Sequence, residues 1–361
     1  MEEFLEVIKQ NLIANNLLDY ADVSDEIIKK KCGELTALKV DIDVPIYYME
    51  ELSSLKILNI FNMANINIIE NLDYSTINSY KTLNSLIISH NPNIRELDIS
   101  NLTNLQNLFI IGNLNLRKII GIENLKKLNR VIIVGNAIKH LPKEVLENNL
   151  NPEMFILDVN LYHDLVNQSI NPIKYKVSFG EKVSVGEIYH LDAKKMEELY
   201  YKSVYILSGL INYKMPDIEK IEKIYKFIVK NIRYDFENLD KRNNYMYSHN
   251  IYVYDNQYKD INSSYKALSD YKVVCEGYAN LFKFLLNIED IEAENIVCYI
   301  NNSKESFTHF NHTASRVNLD GKWYYCDAQI EDDSENLKYF LQSREEFQKT
   351  HKLPEERIKV R

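Results

Sequence analysis

A short apolar pattern recurs along the first half of the chain and restricts its fold more than any other feature. Leu83, Leu86, Ile88 and Asn91 stand at positions 1, 4, 6 and 9 of a nine-residue stretch. Leu105, Leu108, Ile110 and Asn113 repeat it 22 residues on, and Leu128, Val131, Ile133 and Asn136 repeat it 23 residues after that. Weaker copies run through Leu35, Leu38 and Val40, through Leu55, Leu58 and Ile60, and through Phe155, Leu157 and Asn160. A unit of this length holds one short strand and cannot bury its apolar face alone. Neighbouring units must stack and share one core. Ile94, Leu97 and Ile99 fall off the spacing and are assigned to the convex-side segment of one repeat.

The pattern resembles a leucine-rich repeat array over residues 35–165. In such an array each Asn holds its turn by bonding backbone groups through the side-chain amide. The amphipathic start of the chain, with Phe4, Leu5, Ile8 and Leu12 at helical spacing, reads as an N-terminal helical cap over residues 1–34. Repeat arrays usually offer a concave face to a protein partner, although the array also serves as a plain structural platform in the alternative reading. The concave positions flanking the core include Ser85, Ile87, Asn107, Phe109, Arg130 and Ile132. Phe109, Ile132 and Ile87 are the candidate partner-binding anchors.

With 361 residues the chain has room for an array plus one further domain. Its 43 Lys and Arg stand against 52 Asp and Glu, and it has no basic block. That balance argues against nucleic acid or an anionic membrane as partner. No apolar run is long enough to span a bilayer. The acidic start MEEFLEVIKQNL lacks the basic and apolar regions of a secretory signal. A cytoplasmic location is the default expectation, and a chain exported by another route would look the same. Four Cys, at 32, 275, 298 and 326, are too few and too scattered for a disulfide scaffold.

The repeat spacing is lost near residue 165. Residues 166–189, with Pro172, Gly180 and Gly186, read as a linker or short β segment, and residues 190–361 as a second domain. Two helical patterns open that domain, one through Met196, Leu199, Ser203, Ile206 and Leu207, the other through Ile218, Ile221, Tyr225, Ile228 and Val229. Residues 232–262 are polar, Tyr-rich and irregular, and read as one long loop.

Chemistry is concentrated further on. Cys275 directly precedes an apolar stripe of Tyr278, Leu281, Phe282, Leu285 and Leu286, which places it at a helix N-terminus. Unpaired N–H groups and the helix dipole favour a thiolate there. A buried Cys opening a core helix is the plain alternative. The later segment HTASRVNLDGKWYYCDAQ contains Asp320-Gly321, a two-residue hairpin turn. That turn pairs Leu319 with Lys322, Ala314 with Asp327 and His312 with Gln329. Alternation then puts His312, Ala314 and Arg316 on one face with Asp327, Tyr325 and Trp323, and makes His312 and Asp327 diagonal neighbours. A thiol, an imidazole and a carboxylate in that order form a nucleophile, its base and the group that orients the base.

These segments resemble the transglutaminase-like superfamily over about residues 190–340. Cys275-Glu276-Gly277-Tyr278-Ala279 is similar to its nucleophile motif, and His312 through Asp327, 15 residues apart, to its second signature. Residues 228–235 resemble the helix end that precedes the nucleophile. The family commonly carries an aromatic and an Asn after the His, where this chain has Ala314 and Ser315. The resemblance implies a papain-like α+β domain with Cys275, His312 and Asp327 as catalytic triad. It implies thiol chemistry on a protein or peptide amide, and no cofactor. Hydrolysis, deamidation and cross-linking share that triad. The rival reading is a repeat-based binding module whose second domain is catalytically silent.

Several residues have plainer readings. Tyr234 is either an oxyanion donor, as an upstream aromatic is in some relatives, or a packing residue. His309 and His312 have opposite strand parity, so the pair does not ligate a metal, and none is expected. Cys298 reads as a core strand residue and Cys326 as packing on the opposite face from Asp327. Trp323 reads as core support. The histidines at 90, 140, 163, 190, 249 and 351 show no partner pattern and read as surface or packing.

Overall fold

A computed structural model describes residues 1–19, 23–41, 46–61, 74–91, 94–149, 151–182, 188–249, 260–300, 312–331 and 334–353. The chain divides into two compact units, 1–180 and 181–361.

The first unit begins with helices α1 (Glu2–Ala14) and α2 (Asp25–Cys32). Phe4, Leu5, Ile8 and Leu12 form the buried stripe of α1. Strands β1 (Ala37–Asp41), β2 (Ile57–Phe61), β3 (Ser85–Ser89), β4 (Glu96–Asp98), β5 (Asn107–Ile111), β6 (Lys118–Ile120) and β7 (Arg130–Val134) follow. The unit continues through α3 (Glu144–Glu147), β8 (Phe155–Asp158), α4 (Leu161–Asn167), α5 (Pro172–Tyr175) and β9 (Ser178–Lys182). Strands β1, β2, β3, β5, β7, β8 and β9 are neighbours in that order in one sheet. All of these pairs are parallel. The off-register segment around Leu97 forms β4, which pairs only with β6 in a small separate sheet among the described residues.

The register stacks like on like. Leu38, Leu58, Leu86, Leu108, Val131 and Phe155 form one buried row across the sheet, and Val40, Ile60, Ile88, Ile110, Ile133, Leu157 and Phe179 form the next. Between the two rows, Ile87, Phe109 and Ile132 stand side by side, half-buried, on the opposite face. The first edge of the sheet is closed by α1, whose Asn11 accepts from Lys39 N at 2.8 Å and donates to Lys39 O at 2.9 Å. Its amide completes the strand pairing that β1 lacks on that side and blunts an edge otherwise open to other chains.

Asparagine side chains tie consecutive repeats together. Asn113 Oδ1 accepts from the Asn91 N–H at 3.0 Å, and its Nδ2 donates to Ile88 O at 3.1 Å. Asn136 does the same for Asn113 N, at 3.1 Å, and for Ile110 O, at 2.9 Å. In the next repeat the expected residue was Asn160. The structure gives the role to Asp158, whose Oδ2 accepts from Gly135 N at 2.8 Å. An aspartate can accept this N–H but cannot donate back to the strand carbonyl.

Residues 166–189 were expected as a linker, and the unit boundary falls inside that stretch. Its first part folds into α5 and β9, and β9 pairs with β8 through Ile156↔Ser178 and Leu157↔Phe179. Phe179 and Val177 are fully buried, which supplies the apolar burial that Pro172 and Gly180 obscured in the sequence.

The second unit opens with β10 (Ile188–Asp192), α6 (Ala193–Leu210) and α7 (Asp217–Asn231). Next come β11 (Arg233–Tyr234), α8 (Phe236–His249), α9 (Ser264–Ser269), β12 (Lys272–Val273) and α10 (Cys275–Ile288). It ends with β13 (Ala293–Ile300), β14 (His312–Leu319), β15 (Lys322–Cys326), α11 (Arg344–Phe347) and β16 (His351–Lys352). Within the long loop expected over 232–262, Phe236–His249 instead form the helix α8, started by Asp235, whose carboxylate accepts from Asn238 N at 3.1 Å; residues 250–259 lie outside the described residues. Strands β15, β14, β13 and β16 form an antiparallel sheet in that order. Helix α10 is buried on nearly every side and packs on β13, β14, α7 and α9.

The side-chain ladder makes a testable demand on the first unit. Asn113→Ala leaves the Asn91 N–H and the Ile88 carbonyl without their partner in a buried site. The expected cost is about 2–4 kcal/mol, read as a lower urea midpoint for this unit. An unchanged midpoint rules out the ladder as a stabilising element.

Candidate active site

The β14–β15 hairpin has the register expected from its turn. Leu319↔Lys322 and Ser315↔Cys326 are paired, and Asp320 and Gly321 have φ of 53° and 81°. The ladder ends at Cys326, so the chain bends away at Asp327 rather than pairing it with Ala314. Asp327 N donates to Tyr339 O at 2.9 Å, and Tyr225 Oη of α7 donates to Asp327 O at 2.9 Å. These bonds hold the carboxylate over β14, where Oδ2 lies 2.5 Å from His312 Nε2. Both side chains are almost wholly buried.

Cys275 is the first residue of α10. Strand β12 delivers it, and Val274 N donates to Ile261 O at 3.0 Å, which pins the residue before it. The glycine two positions on is required by packing. A Cβ on Gly277 would sit 2.5 Å from Val273 Cβ. Only a residue without one lets the first turn of α10 close over β12. The Cys275 side chain is half-buried, and its thiol is near enough to His312 to help raise the pKa of that imidazole. With Nε2 given to Asp327, Nδ1 is the ring nitrogen left to face the thiol.

Burial by itself would lower the pKa of His312, but the Asp327 charge and hydrogen bond, with a smaller contribution from Cys275, lift it to about 10. Burial would raise Asp327, and His312 and then His351 hold it down at about 2. The carboxylate therefore stays charged and the imidazole protonated across neutral pH.

Tyr234 of β11 is brought beside this centre, because β11 lies parallel to β12 with Tyr234 opposite Val273. Its hydroxyl pKa is raised by burial first and by the neighbouring Cys275 second, so it remains a proton donor. Its ring packs on Phe236, with centroids 4.6 Å apart, so packing and proximity to the thiol coexist. A small recess lies at the thiol, lined by Cys275, Tyr278, Phe282, Ala314 and Asp327 among others.

The other cysteines are buried. Burial drives the thiols of Cys32 and Cys326 up, to about 11 and about 12, and that of Cys298 well above its ordinary value. Cys326 accepts from Leu341 N at 3.3 Å, which fits a packing role. Trp323 is only half-buried, with the Arg316 guanidinium 4.5 Å over its ring.

One functional-site residue escaped the sequence reading. His351 was expected as a surface or packing residue; it is fully buried, and its Nε2 lies 3.0 Å from Asp327 Oδ2. It lies 24 residues beyond Asp327 in a polar stretch, and nothing in the local pattern marks it. Pairing of β16 with β13, His351 opposite Ile300, carries it in. Cys298, His312 and His351 each offer an atom within 4.8 Å of the others, the one group among the described residues with metal-ligand chemistry. Both histidines, however, give Nε2 to the Asp327 carboxylate, so the cluster is tied up as a hydrogen-bonded network. His309 lies outside the described residues.

Comparison with known proteins bears on this half of the chain. Residues 202–351 match the model of a family described as a transglutaminase-like domain. The second unit contains a transglutaminase-like domain. Among solved structures, a crystal structure of a TGase is 16% identical with a TM-score of 0.30, covering 48% of this chain and 40% of that one. A Parabacteroides distasonis protein described as a candidate protease is 18% identical with a TM-score of 0.25, covering 37% of this chain and 25% of that one. The matched region thus spans less than half the length of either. No curated protein matches the chain. Among the described residues, no helix of the transglutaminase-like domain or of the first unit is long and apolar enough to cross a membrane.

The Asp327–His312 pair sets a pH window. The depressed Asp327 pKa contributes stability present above 3.8 and lost as pH falls toward about 2. The raised His312 pKa contributes stability fully present below 6.5 and lost as pH rises toward about 10. The thermal midpoint of the transglutaminase-like domain should peak between pH 3.8 and 6.5 and decline on both sides. Asp327→Asn should lower that peak by about 5 °C and flatten both flanks. A variant profile parallel to that of the wild type rules the pair out as their source.

Proposed function

We propose that the transglutaminase-like domain is a cysteine-dependent enzyme that transfers or hydrolyses acyl groups of protein or peptide amides. The single observation that carries this reading is the buried His312–Asp327 pair, whose imidazole pKa is also raised by the Cys275 thiol beside it. The thiol sulfur attacks the amide carbonyl carbon while its proton resides on His312. The tetrahedral oxyanion is met by the Cys275 N–H, at the start of α10, and by the Tyr234 hydroxyl. Collapse breaks the C–N bond, and His312 returns the proton to the departing ammonia or amine. Water then releases a carboxylic acid from the thioester, or a second amine forms a new amide. Asp327 holds His312 in one tautomer and balances its charge.

The first unit, in this proposal, acts as a leucine-rich repeat that recruits a protein partner. What supports it is the in-register row of Ile87, Phe109 and Ile132, half-buried on the sheet face opposite the core. Arg130 lies over the Phe109 ring at 5.3 Å, so the row combines apolar groups with a charge at its side, as interface anchors often do.

Two measurements test these assignments. Iodoacetamide should label Cys275 at least about tenfold faster than Cys32, Cys298 or Cys326, whose thiols are buried and shifted upward. Mass spectrometry of a proteome treated with wild type, but not with Cys275→Ala, should show cleaved, deamidated or cross-linked amides. Equal labelling of all four thiols, or identical proteomes, would leave the domain without this chemistry. Alanine at Phe109 and Ile132 should weaken capture of a protein partner about tenfold or more and leave Cys275 labelling unchanged. Loss of labelling in the folded double variant would instead tie the repeats to the active site.

A further inference from the structure

The Asp327 carboxylate serves two histidines. Its Oδ2 lies 2.5 Å from His312 Nε2 and 3.0 Å from His351 Nε2, while Oδ1 accepts from Gln329 N at 3.1 Å. We propose that His351 is a positioning residue of the active site, a second imidazole that fixes the Asp327 carboxylate and divides its charge with His312. The inference rests on the thiol–imidazole reading above and adds to it a fourth member.

The surroundings of His351 hold its ring in one orientation. Its face lies flat on Phe347, with centroids 3.9 Å apart and planes 4° from parallel. Its Nδ1 is 2.9 Å from Thr350 Oγ1, a hydroxyl that also donates to Phe347 O at 3.3 Å, and its Nε2 meets the carboxylate on the other side. It is fully buried, and its centroid is 5.7 Å from that of His312. A side chain kept only for packing on Phe347 has no need of two polar contacts at opposite ring atoms. Burying an imidazole costs free energy unless its nitrogens are satisfied, and here one of them is satisfied by the carboxylate that orients the base.

The consequence follows from electrostatics. Two N–H donors on Oδ2 spread the negative charge, so Asp327 pulls less strongly on the His312 proton than a carboxylate with one donor. Removing the second donor concentrates that charge on His312 and keeps it protonated to higher pH. It also frees the carboxylate to rotate about its Cβ–Cγ bond. Among the described residues, the other titratable groups facing the pair are Cys275 from α10, Cys298 from β13, Cys326 from β15, Tyr225 from α7, and Glu331 and Tyr339 beyond β15. They are unchanged by substitution at His351, so a shift caused by it is read against a constant background.

The experiment is the pH profile of Cys275 alkylation by iodoacetate, followed on the Cys275 peptide by mass spectrometry. Iodoacetate is anionic, so its rate falls when His312 loses its charge, and the alkaline limb reports His312. The variants are His351→Phe, which keeps a flat ring without a donor, and His351→Gln, which restores an N–H donor. Thr350→Val, in a half-buried position, frees the Nδ1 side and serves where His351→Phe fails to fold. His351→Phe should move the alkaline limb up by half a pH unit or more and slow alkylation at pH 7 by about tenfold. His351→Gln should recover most of both, and Thr350→Val should shift the limb in the same direction by less. A wild-type limb in folded His351→Phe, or in Thr350→Val where the former does not fold, overturns the proposal. So does a His351→Gln profile equal to that of His351→Phe. His312→Ala separates the two levels. If it leaves alkylation unchanged, the thiol–imidazole reading itself fails. If it abolishes the alkaline limb while the His351 variants keep it, only the fourth member is removed.

Discussion

Everything around the candidate site turns on one buried carboxylate. Asp327 is almost fully removed from water, where a bare negative charge is strongly disfavoured. It is kept ionised by three N–H donors, two from imidazoles and one from its own backbone turn. Because the charge persists, His312 persists as its cation, with Nε2 committed to the carboxylate. The backbone of Asp327 is fixed as firmly as its side chain, through Tyr225 and Tyr339. Helix α7, the hairpin β14–β15 and the segment before α11 thus converge on a single residue.

The thiol is positioned by different means. Its place depends on the backbone of β12, on the Val274–Ile261 hydrogen bond and on a glycine that lets α10 begin against Val273. Packing sets the place of Cys275. The division has a chemical logic. A base must be tuned electrostatically and therefore sits in a buried ionic network. In the proposed reaction the nucleophile must reach its substrate, and Cys275 stays half-exposed at the end of a rigid helix.

The first unit solves a different problem with repetition. Each strand presents two apolar residues to the same two rows, and Asn113 and Asn136 satisfy backbone groups of the strand and turn before them. The substitution of Asp158 for Asn in the last pair shows how the pattern tolerates change: the acceptor half of the amide is retained, and the donor half is lost.

Local information sufficed wherever the physics was local. The period of the apolar residues, the Asp320-Gly321 turn and the helix opening at Cys275 all depend on residues close in sequence, and the register through Leu319↔Lys322 follows from the turn alone. From that register the His312–Asp327 proximity was legible, although the carboxylate reaches His312 from beyond the last paired residue. Residues 232–262 were harder, because α8 carries few apolar residues and its start depends on the Asp235 carboxylate bonding within the first turn. Strand β9 was hidden for a related reason, since its burial comes from β8 and not from its own pattern. His351 was beyond reach altogether. Its role exists only because β16 pairs with β13, a contact between segments some fifty residues apart whose energy lies in tertiary packing. The sequence by itself determined the repeat and the order of thiol, imidazole and carboxylate; the tertiary structure alone decided that the carboxylate answers to two imidazoles, because hydrogen bonds between distant strands leave no trace in local spacing.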